Sequence, residues 1–178
     1  MVDAQDQIIV AAEVPNQAND KQQNVPMAQA ALDHVKAAQI DQPQLVDRTP
    51  ALIPNTADSG YFNEQAVEEL EKMGIDPHIA TGRQKHHAAA LPVAEEESSP
   101  AASAKEKMRH KLRTATGKLR YAARKHIVEP VFGQIKSARG IRKFLLRGLQ
   151  KVSAEWQLIC LTHKLLKIWR RASAAAAS

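Results

Sequence analysis

The chain has 178 residues, 44% of them hydrophobic and 25% charged, which is the composition of a folded protein of about one domain. No apolar run approaches the about 20 residues that a membrane span needs, and no secretory signal opens the chain. The sequence therefore predicts a cytoplasmic protein. A single cysteine, Cys160, excludes an intramolecular disulfide and a zinc site built from several cysteines.

The net charge of +6 conceals two halves of opposite sign. Residues 1–104 carry 6 Lys and Arg against 16 Asp and Glu, whereas residues 105–178 carry 19 Lys and Arg against 3 Asp and Glu. This asymmetry is typical of proteins that bind a polyanion such as DNA. A basic helix on a membrane surface is the alternative, but the bases are spread over several predicted helices, which favours DNA.

The first predicted elements are an arm and a helix. A short apolar run after turn-forming polar residues in 2–14 predicts a hairpin arm or a sheet strand. A polar loop follows at 16–23. Pro26 then falls in the first turn of a predicted helix. The apolar positions of that helix are Ala28, Ala31, Leu32 and Val35.

Residues 49–82 predict a strand, a helix and a second strand. The run 51–53 predicts a short buried strand, and Asn63 is a predicted N-cap. The helix has a buried stripe and ends at Gly74 before a strand at 75–80. The stripe consists of Ala66, Val67, Leu70 and Met73. A βαβ unit implies a parallel or mixed sheet, and Asp58 would lie past the carboxyl end of a strand, where such sheets place ligands.

The remaining chain predicts a linker and a helical basic region. Residues 83–104 lack periodicity and predict a disordered linker or insertion between residues 1–82 and the basic helical part at 105–171. Residues 172–178 predict a disordered tail.

Cys160 and His163 lie one helical turn apart, but a buried thiol and a surface histidine are favoured over a metal pair. The pair at 86–87 predicts no specific metal site.

Glu129 is the most conspicuous acid of the basic half. Helical spacing predicts that Glu129 and Lys136 project together past the small Gly133. A carboxylate among cations suits a hard metal ion beside a phosphate. A salt-bridged acid on a basic helix is the alternative, and charge pattern alone favours it.

Several motifs resemble one protein family in the correct order. The segment 128–136, Val-Glu-Pro-Val-Phe-Gly-Gln-Ile-Lys, with 139–148 and 156–163 after it, resembles the C-terminal part of bacterial insertion-sequence DDE transposases. Residues 57–62, Ala-Asp-Ser-Gly-Tyr-Phe, resemble the segment around the second catalytic aspartate of that family, and 8–20 resemble its strand and loop ahead of the first crossing helix. The resemblance covers most of the chain outside the linker and tail.

The resemblance implies an α/β fold, a ribonuclease-H-like mixed sheet with flanking helices, followed by a basic and mostly helical C-terminal part. It implies DNA transposition by metal-dependent cleavage and strand transfer. Three acids bind two Mg²⁺ or Mn²⁺ ions in that family. Asp58 matches the second acid and Glu129 the third.

The resemblance also implies a phosphate-binding set. Tyr121, a base at Arg124 or Lys125, and Lys136 match the tyrosine–arginine–glutamate–lysine motif, with Lys125 nearer the expected spacing. Arg139 and Arg142 add further cations after it. The implied partners are transposon-end and target DNA and other transposase copies, with no membrane.

The chain departs from the family in ways that affect the expected activity. The first aspartate of the family lies ahead of the segment at which this chain begins, and Asp3 is interpreted as non-catalytic. The family's N-terminal DNA-binding region is absent, Lys164 stands where relatives tend to have Asn, and Pro54 lies in the strand before Asp58. The resemblance therefore implies an N-terminally truncated, catalytically impaired fragment. A non-catalytic basic helical DNA-binding protein is the alternative, and convergence of Asp58 and Glu129 would distinguish the two.

Overall fold

The computed structural model describes residues 1–16, 21–40, 52–82 and 102–176, which form a mixed α/β structure. The chain divides into two compact units. Unit 1 holds Met1–Gln17, Met27–Asp41 and Lys125–Ser178, and unit 2 holds Ala18–Pro26 and Gln42–Arg124. The described elements are α1 (Asn24–Ile40), β1 (Ile53–Ala57), α2 (Glu64–Lys72), β2 (Ile75–Ile79), α3 (Ala104–Lys111), α4 (Ala115–Gly133) and α5 (Leu149–Ala176).

Unit 2 contains the predicted βαβ arrangement. Strands β1 and β2 pair in parallel, with Ile53 opposite Ile75. Asn63 caps α2 because its Oδ1 accepts a hydrogen bond from the backbone N–H of Gln65 at 3.1 Å. Gly74 has φ +76°, a left-handed conformation that glycine adopts without strain, and so ends the α2 turn before β2. The predicted order of strand, capped helix, glycine and parallel strand is confirmed.

The predicted position of the first strand is wrong. β1 begins at Ile53 rather than ending there, and the side chains of Leu52 and Ile53 are 58% and 52% exposed. The buried positions of β1 are Asn55 and Ala57, so its inward face carries a polar and a small residue that hydrophobicity does not reveal. Pro54 lies within the strand, as proline can where one side of a strand lacks a partner. Ala51 lies outside the described residues.

Helices α2 and α3 cover the β2 side of unit 2. α2 packs on β2, and α3 packs on both β2 and α2. Ser103 and Glu106 form a reciprocal capping box at the start of α3. The first turn of α4 packs closely on the end of α3 and requires glycine at Gly117, because a Cβ there would lie 1.9 Å from the carbonyl oxygen of Lys111. The buried apolar side chains of this unit are Ala57, Ala66, Val67, Leu70, Ile75, Ile79, Ala80, Met108 and Leu112.

Unit 1 is built on a different core. The N-terminal segment folds back on itself through an antiparallel bridge between Val2 and Ile9, which confirms the predicted hairpin arm. α4 continues beyond Gly133 into a π-helical turn over Gln134–Ala138. The core consists of Ile9, Val131, Ile135, Ile159 and Cys160, so it joins the arm, the end of α4, the π turn and α5.

The boundaries predicted for the linker and the tail change at their edges. Ser103 is the N-cap of α3, and α3 begins at Ala104, so the last residues of the predicted linker belong to a helix. α5 continues through Ala176, because alanine is the strongest helix former and extends the preceding turns. The residues 83–101 and 177–178 lie outside the described part. No helix of the described residues is long and apolar enough to cross a bilayer.

Candidate catalytic and nucleic-acid-binding sites

Asp58 immediately follows β1, as predicted. It occupies the N-cap position of the 3₁₀ helix Ser59–Tyr61, yet its side chain makes no capping hydrogen bond. Its carboxylate Oδ2 instead accepts a hydrogen bond from Arg124 Nη1 at 3.0 Å. The candidate acid is therefore tied by an ion pair to the N-terminal half of α4.

Arg124 is held more firmly than an ordinary surface arginine. Its side chain is 19% exposed, and its guanidinium carbon lies 5.5 Å from the centre of the Tyr121 ring. Its Nε is buried without a hydrogen-bond partner among the described residues. Of the two bases that matched the family motif, Arg124 is thus engaged by Asp58, while Lys125 is exposed and has no ion pair within the described part of the chain.

Asp76 is a charged centre that sequence reasoning missed. It lies on β2 with a 12% exposed side chain and forms ion pairs with Lys111 of α3 and Arg120 of α4. Nδ1 of the buried His78 lies 3.9 Å from its Oδ2. The available signal was an acid inside a short apolar strand, which requires a cationic partner when buried.

The two ion pairs of α4 fix this helix along the small sheet of unit 2. Arg120 contacts Asp76 near the start of the strands, where Asp76 lies opposite Pro54. Arg124, one turn further along, contacts Asp58 just beyond the end of β1. The N-terminal half of α4 is therefore joined to the strand β2 and to the residue after β1 by two ion pairs.

Glu129 lies in unit 1, on the exposed side of α4. Within the described residues its carboxylate has no hydrogen bond or ion pair. Lys136 belongs to the π turn, and its Nζ lies 5.5 Å from the centre of the Phe132 ring rather than on the glutamate. Lys136 thus follows α4 in a turn with i→i+5 hydrogen bonds, and the predicted shared face of Glu129 and Lys136 stays a prediction.

Arg139 and Arg142 differ in their surroundings. Nη1 of Arg139 donates to the carbonyl oxygen of Ile159 at 3.1 Å, and its Nη2 donates to Thr162 Oγ1 at 2.5 Å, so Arg139 fastens the end of the π turn to α5. Arg142 is exposed and lines a cavity of about 550 Å³ in unit 1. Within the described residues, the guanidinium of Arg139 is hydrogen-bonded to α5, whereas that of Arg142 has no protein partner.

The prediction of a surface position for His163 is wrong. Its side chain is completely buried, and its Nε2 lies 3.3 Å from the carbonyl oxygen of Gln7. The arm of residues 1–16 covers a position that helical spacing alone leaves on the surface. The thiol of Cys160 is buried as predicted, and this burial raises its pKa. The two residues therefore serve packing in unit 1.

The donor chemistry of the two candidate acids fits a hard divalent cation. Glu129 presents both carboxylate oxygens, and Asp58 presents Oδ1, with Oδ2 engaged by Arg124. Asp58 lies in unit 2 and Glu129 in unit 1. Within 1–16, 21–40, 52–82 and 102–176, no group of three or more His, Cys, Asp or Glu side chains is gathered as metal ligands.

Comparison with known families defines the class of protein. The family model for the transposase DDE domain matches residues 80–169, and the chain belongs to this family. The matched range contains Glu129 and most of the basic half, whereas Asp58 precedes it. No curated protein and no solved structure matches the chain.

Proposed function

We propose that the chain acts in DNA transposition, through a ribonuclease-H-like catalytic domain of the insertion-sequence type. The observation that carries this proposal is the transposase DDE match over residues 80–169, which contains most of the strongly basic half of the chain. Such a density of cations neutralises the phosphates of a DNA backbone without reading its sequence. The partners are transposon-end and target DNA together with other transposase copies.

Asp58 and Glu129 are the proposed metal-binding acids. Their carboxylate oxygens would hold Mg²⁺ or Mn²⁺, which supplies activation of a hydroxyl and charge stabilisation at a transferring phosphate. The exposed Glu129 has no competing cation within the described chain, whereas Asp58 has Arg124. The two acids therefore differ in how freely they can take up a cation.

Lys125, Lys136 and Arg142 are the proposed phosphate contacts. All three are exposed, and none forms an ion pair in the described part of the chain. The ring of Tyr121 contacts the guanidinium of Arg124. Tyr121 therefore holds this side chain against the protein and does not direct it into solvent. Arg139 is given a structural role instead, because its Nη1 and Nη2 both donate hydrogen bonds to α5.

DNA binding can be tested by fluorescence anisotropy with a labelled duplex over a series of salt concentrations. Six phosphate contacts would give a slope of log K against log salt of about −5. Lys125→Gln and Arg142→Gln are each expected to make the slope shallower by about 1, because each removes one contact. Lys72→Gln, an exposed lysine on α2 in the acidic half, is the matched control and should leave the slope unchanged. Salt-independent binding would contradict the proposal.

Catalysis by this chain alone is proposed to be impaired. Asp3, the early candidate for the first acid of the family, accepts a hydrogen bond from the backbone N–H of Asp6 at 2.7 Å and so serves the hairpin turn. A strand-transfer assay on transposon-end DNA with Mg²⁺ or Mn²⁺ tests this, with Glu129→Gln as the comparison. Robust joining by the unmodified chain that Glu129→Gln abolishes would overturn the impairment and establish catalysis.

A non-catalytic DNA-binding protein is the second candidate function. The ion pair between Arg124 and Asp58 favours it, because a carboxylate that neutralises an arginine is used structurally. Under this alternative, Mg²⁺ only competes for phosphates and lowers DNA affinity by the same factor in the unmodified chain, Asp58→Asn and Glu129→Gln. Under the transposase proposal, the effect of Mg²⁺ on DNA affinity differs between the unmodified chain and Glu129→Gln.

A further inference from the structure

The direction of the Asp58 side chain is unusual for its position. An aspartate at an N-cap ordinarily accepts hydrogen bonds from the next backbone N–H groups. Asp58 has the extended backbone of an N-cap, φ −71° and ψ 166°, but its side chain makes no such bond. The carboxylate is directed to Arg124, with 3.0 Å between Oδ2 and Nη1. Capping is thus replaced by an ion pair across unit 2.

The arginine that makes this contact is confined on several sides. The Tyr121 ring lies 5.5 Å from its guanidinium carbon, and its buried Nε has no partner in the described residues. The side chain is 19% exposed, against 56% for Asp58. A confined guanidinium loses less conformational entropy in an ion pair than a free surface side chain does. The positive charge is therefore held in place at the carboxylate.

We propose that Arg124 is a positioning residue that occupies the cation-binding side of Asp58, so that a divalent cation binds Asp58 only when the guanidinium is displaced. This inference rests on the proposed assignment of Asp58 as a metal-binding acid. Arg124 neutralises the carboxylate, engages its Oδ2 and keeps a positive charge beside any arriving cation. All three effects oppose metal binding at this acid, and none of them acts on Glu129 in the described chain.

The size of the effect follows from the local electrostatics. Removing a unit positive charge a few ångströms from a partly exposed site changes the binding free energy of a cation enough to alter affinity about tenfold. Arg120 provides a matched control, because it is the same residue type one turn away on α4 and pairs with Asp76 instead. Its removal changes the net charge equally without freeing Asp58.

The test is titration of the full chain with Mn²⁺, followed by electron paramagnetic resonance of free Mn²⁺. Arg124→Gln is expected to bind Mn²⁺ about tenfold more tightly than the unmodified chain. Arg124→Lys, which keeps the charge, should bind as weakly as the unmodified chain, and so should Arg120→Gln. Adding Asp58→Asn to Arg124→Gln should abolish the gain. Circular dichroism establishes that each variant is folded.

Several outcomes would overturn the inference. These are equal or weaker Mn²⁺ binding by Arg124→Gln, a gain in Arg120→Gln of the same size, a gain that survives Asp58→Asn, or no Mn²⁺ binding in any variant. If Arg124→Gln does not fold, the Arg124→Lys variant is compared with the unmodified chain. Tighter Mn²⁺ binding by folded Arg124→Lys, which retains the charge, would contradict the inference. The experiment contains no DNA, so failure of DNA binding in the anisotropy assay is a separate result.

Discussion

The imidazole of His163 on α5 is completely buried, with its Nε2 3.3 Å from the carbonyl oxygen of Gln7 in the N-terminal arm. Gln7 itself has φ 58°, a left-handed conformation that few residues other than glycine adopt. Its side-chain Oε1 accepts a hydrogen bond from Lys167 Nζ at 2.9 Å. Gln7 therefore joins the arm to α5 through both its backbone and its side chain.

The burial of His163 predicts acid sensitivity in unit 1. Desolvation lowers the pKa of His163, with Lys167, Arg139 and Arg170 adding to the effect and the Gln7 carbonyl opposing it. The folded form then binds fewer protons than the unfolded chain, so stability is lost as pH falls from the ordinary histidine pKa of about 6.5 toward the lower pKa of the folded form. Melting temperature measured from pH 7.5 to 5 should fall, and less steeply in His163→Gln.

His78 requires a control in the same experiment. Its side chain is buried in unit 2, and desolvation lowers its pKa, with Asp76 opposing and Lys111 and Arg120 adding to the shift. The sign of its contribution is therefore the same. His78→Gln and the double variant separate the two histidines. An unchanged pH profile in the double variant would show that neither histidine causes the acid sensitivity.

The Asp76 network predicts an unequal cost for two aspartates. Asp76→Asn removes a 12% exposed carboxylate from Lys111 and Arg120, whose side chains are 32% and 42% exposed, so it should cost about 1.5 kcal/mol or more of unfolding free energy. Asp58→Asn removes a carboxylate that is 56% exposed and should cost less than about 1 kcal/mol. Urea unfolding followed by circular dichroism measures both, and equal costs would contradict the assignment.

Local signals explain which parts of the fold the sequence predicts. Asn63, Gly74 and the apolar stripe of α2 act within a few residues of one another, and these signals place the βαβ unit and Asp58 at the end of its first strand. Helical spacing likewise predicts the burial of the Cys160 thiol. The first strand was misplaced because its buried positions, Asn55 and Ala57, carry little hydrophobic signal.

The remaining features depend on contacts between residues far apart in the sequence. His163 is buried by an arm that lies 156 positions earlier, and Asp76 is neutralised by cations from α3 and α4. A helical pattern does not specify which of two adjacent bases, Arg124 or Lys125, meets an acid 66 positions away. The π turn at Gln134–Ala138 is likewise not specified by a helical pattern, which assumes α-helical spacing throughout.

Arg139 and Arg142 should respond differently to the same substitution. Arg139→Gln loses the bonds to the Ile159 carbonyl and Thr162 Oγ1, which predicts a loss of about 1–2 kcal/mol in unfolding free energy. Arg142→Gln should leave stability within about 0.5 kcal/mol, since it is exposed, and should weaken DNA binding. Urea unfolding and DNA anisotropy are measured on both variants. Lower DNA affinity in Arg139→Gln together with lower stability in Arg142→Gln would contradict this prediction and identify Arg139 as a DNA contact.

Glu155 is expected to control the order of the segment between the π turn and α5. Its carboxylate accepts hydrogen bonds from the backbone N–H groups of Leu145 at 2.9 Å and Leu146 at 2.9 Å. Such bonds to a charged acceptor contribute about 1.5–3 kcal/mol, so Glu155→Ala should open this segment locally. Trypsin would then cleave it about tenfold faster. The cleavable bonds follow Arg142, Lys143 and Arg147.

The cleavage experiment has a matched control on the same helix. Gln157→Ala truncates an exposed side chain of α5 that has no recorded bond to this segment, so it should leave the rate unchanged. Mass spectrometry identifies the peptides released at Arg142, Lys143 and Arg147, which separates this segment from other trypsin sites. Equal cleavage in Glu155→Ala and Gln157→Ala would mean that the segment is held by its other contacts. These include the hydrogen bond from Ile141 N to the carbonyl oxygen of Ile135 at 3.1 Å.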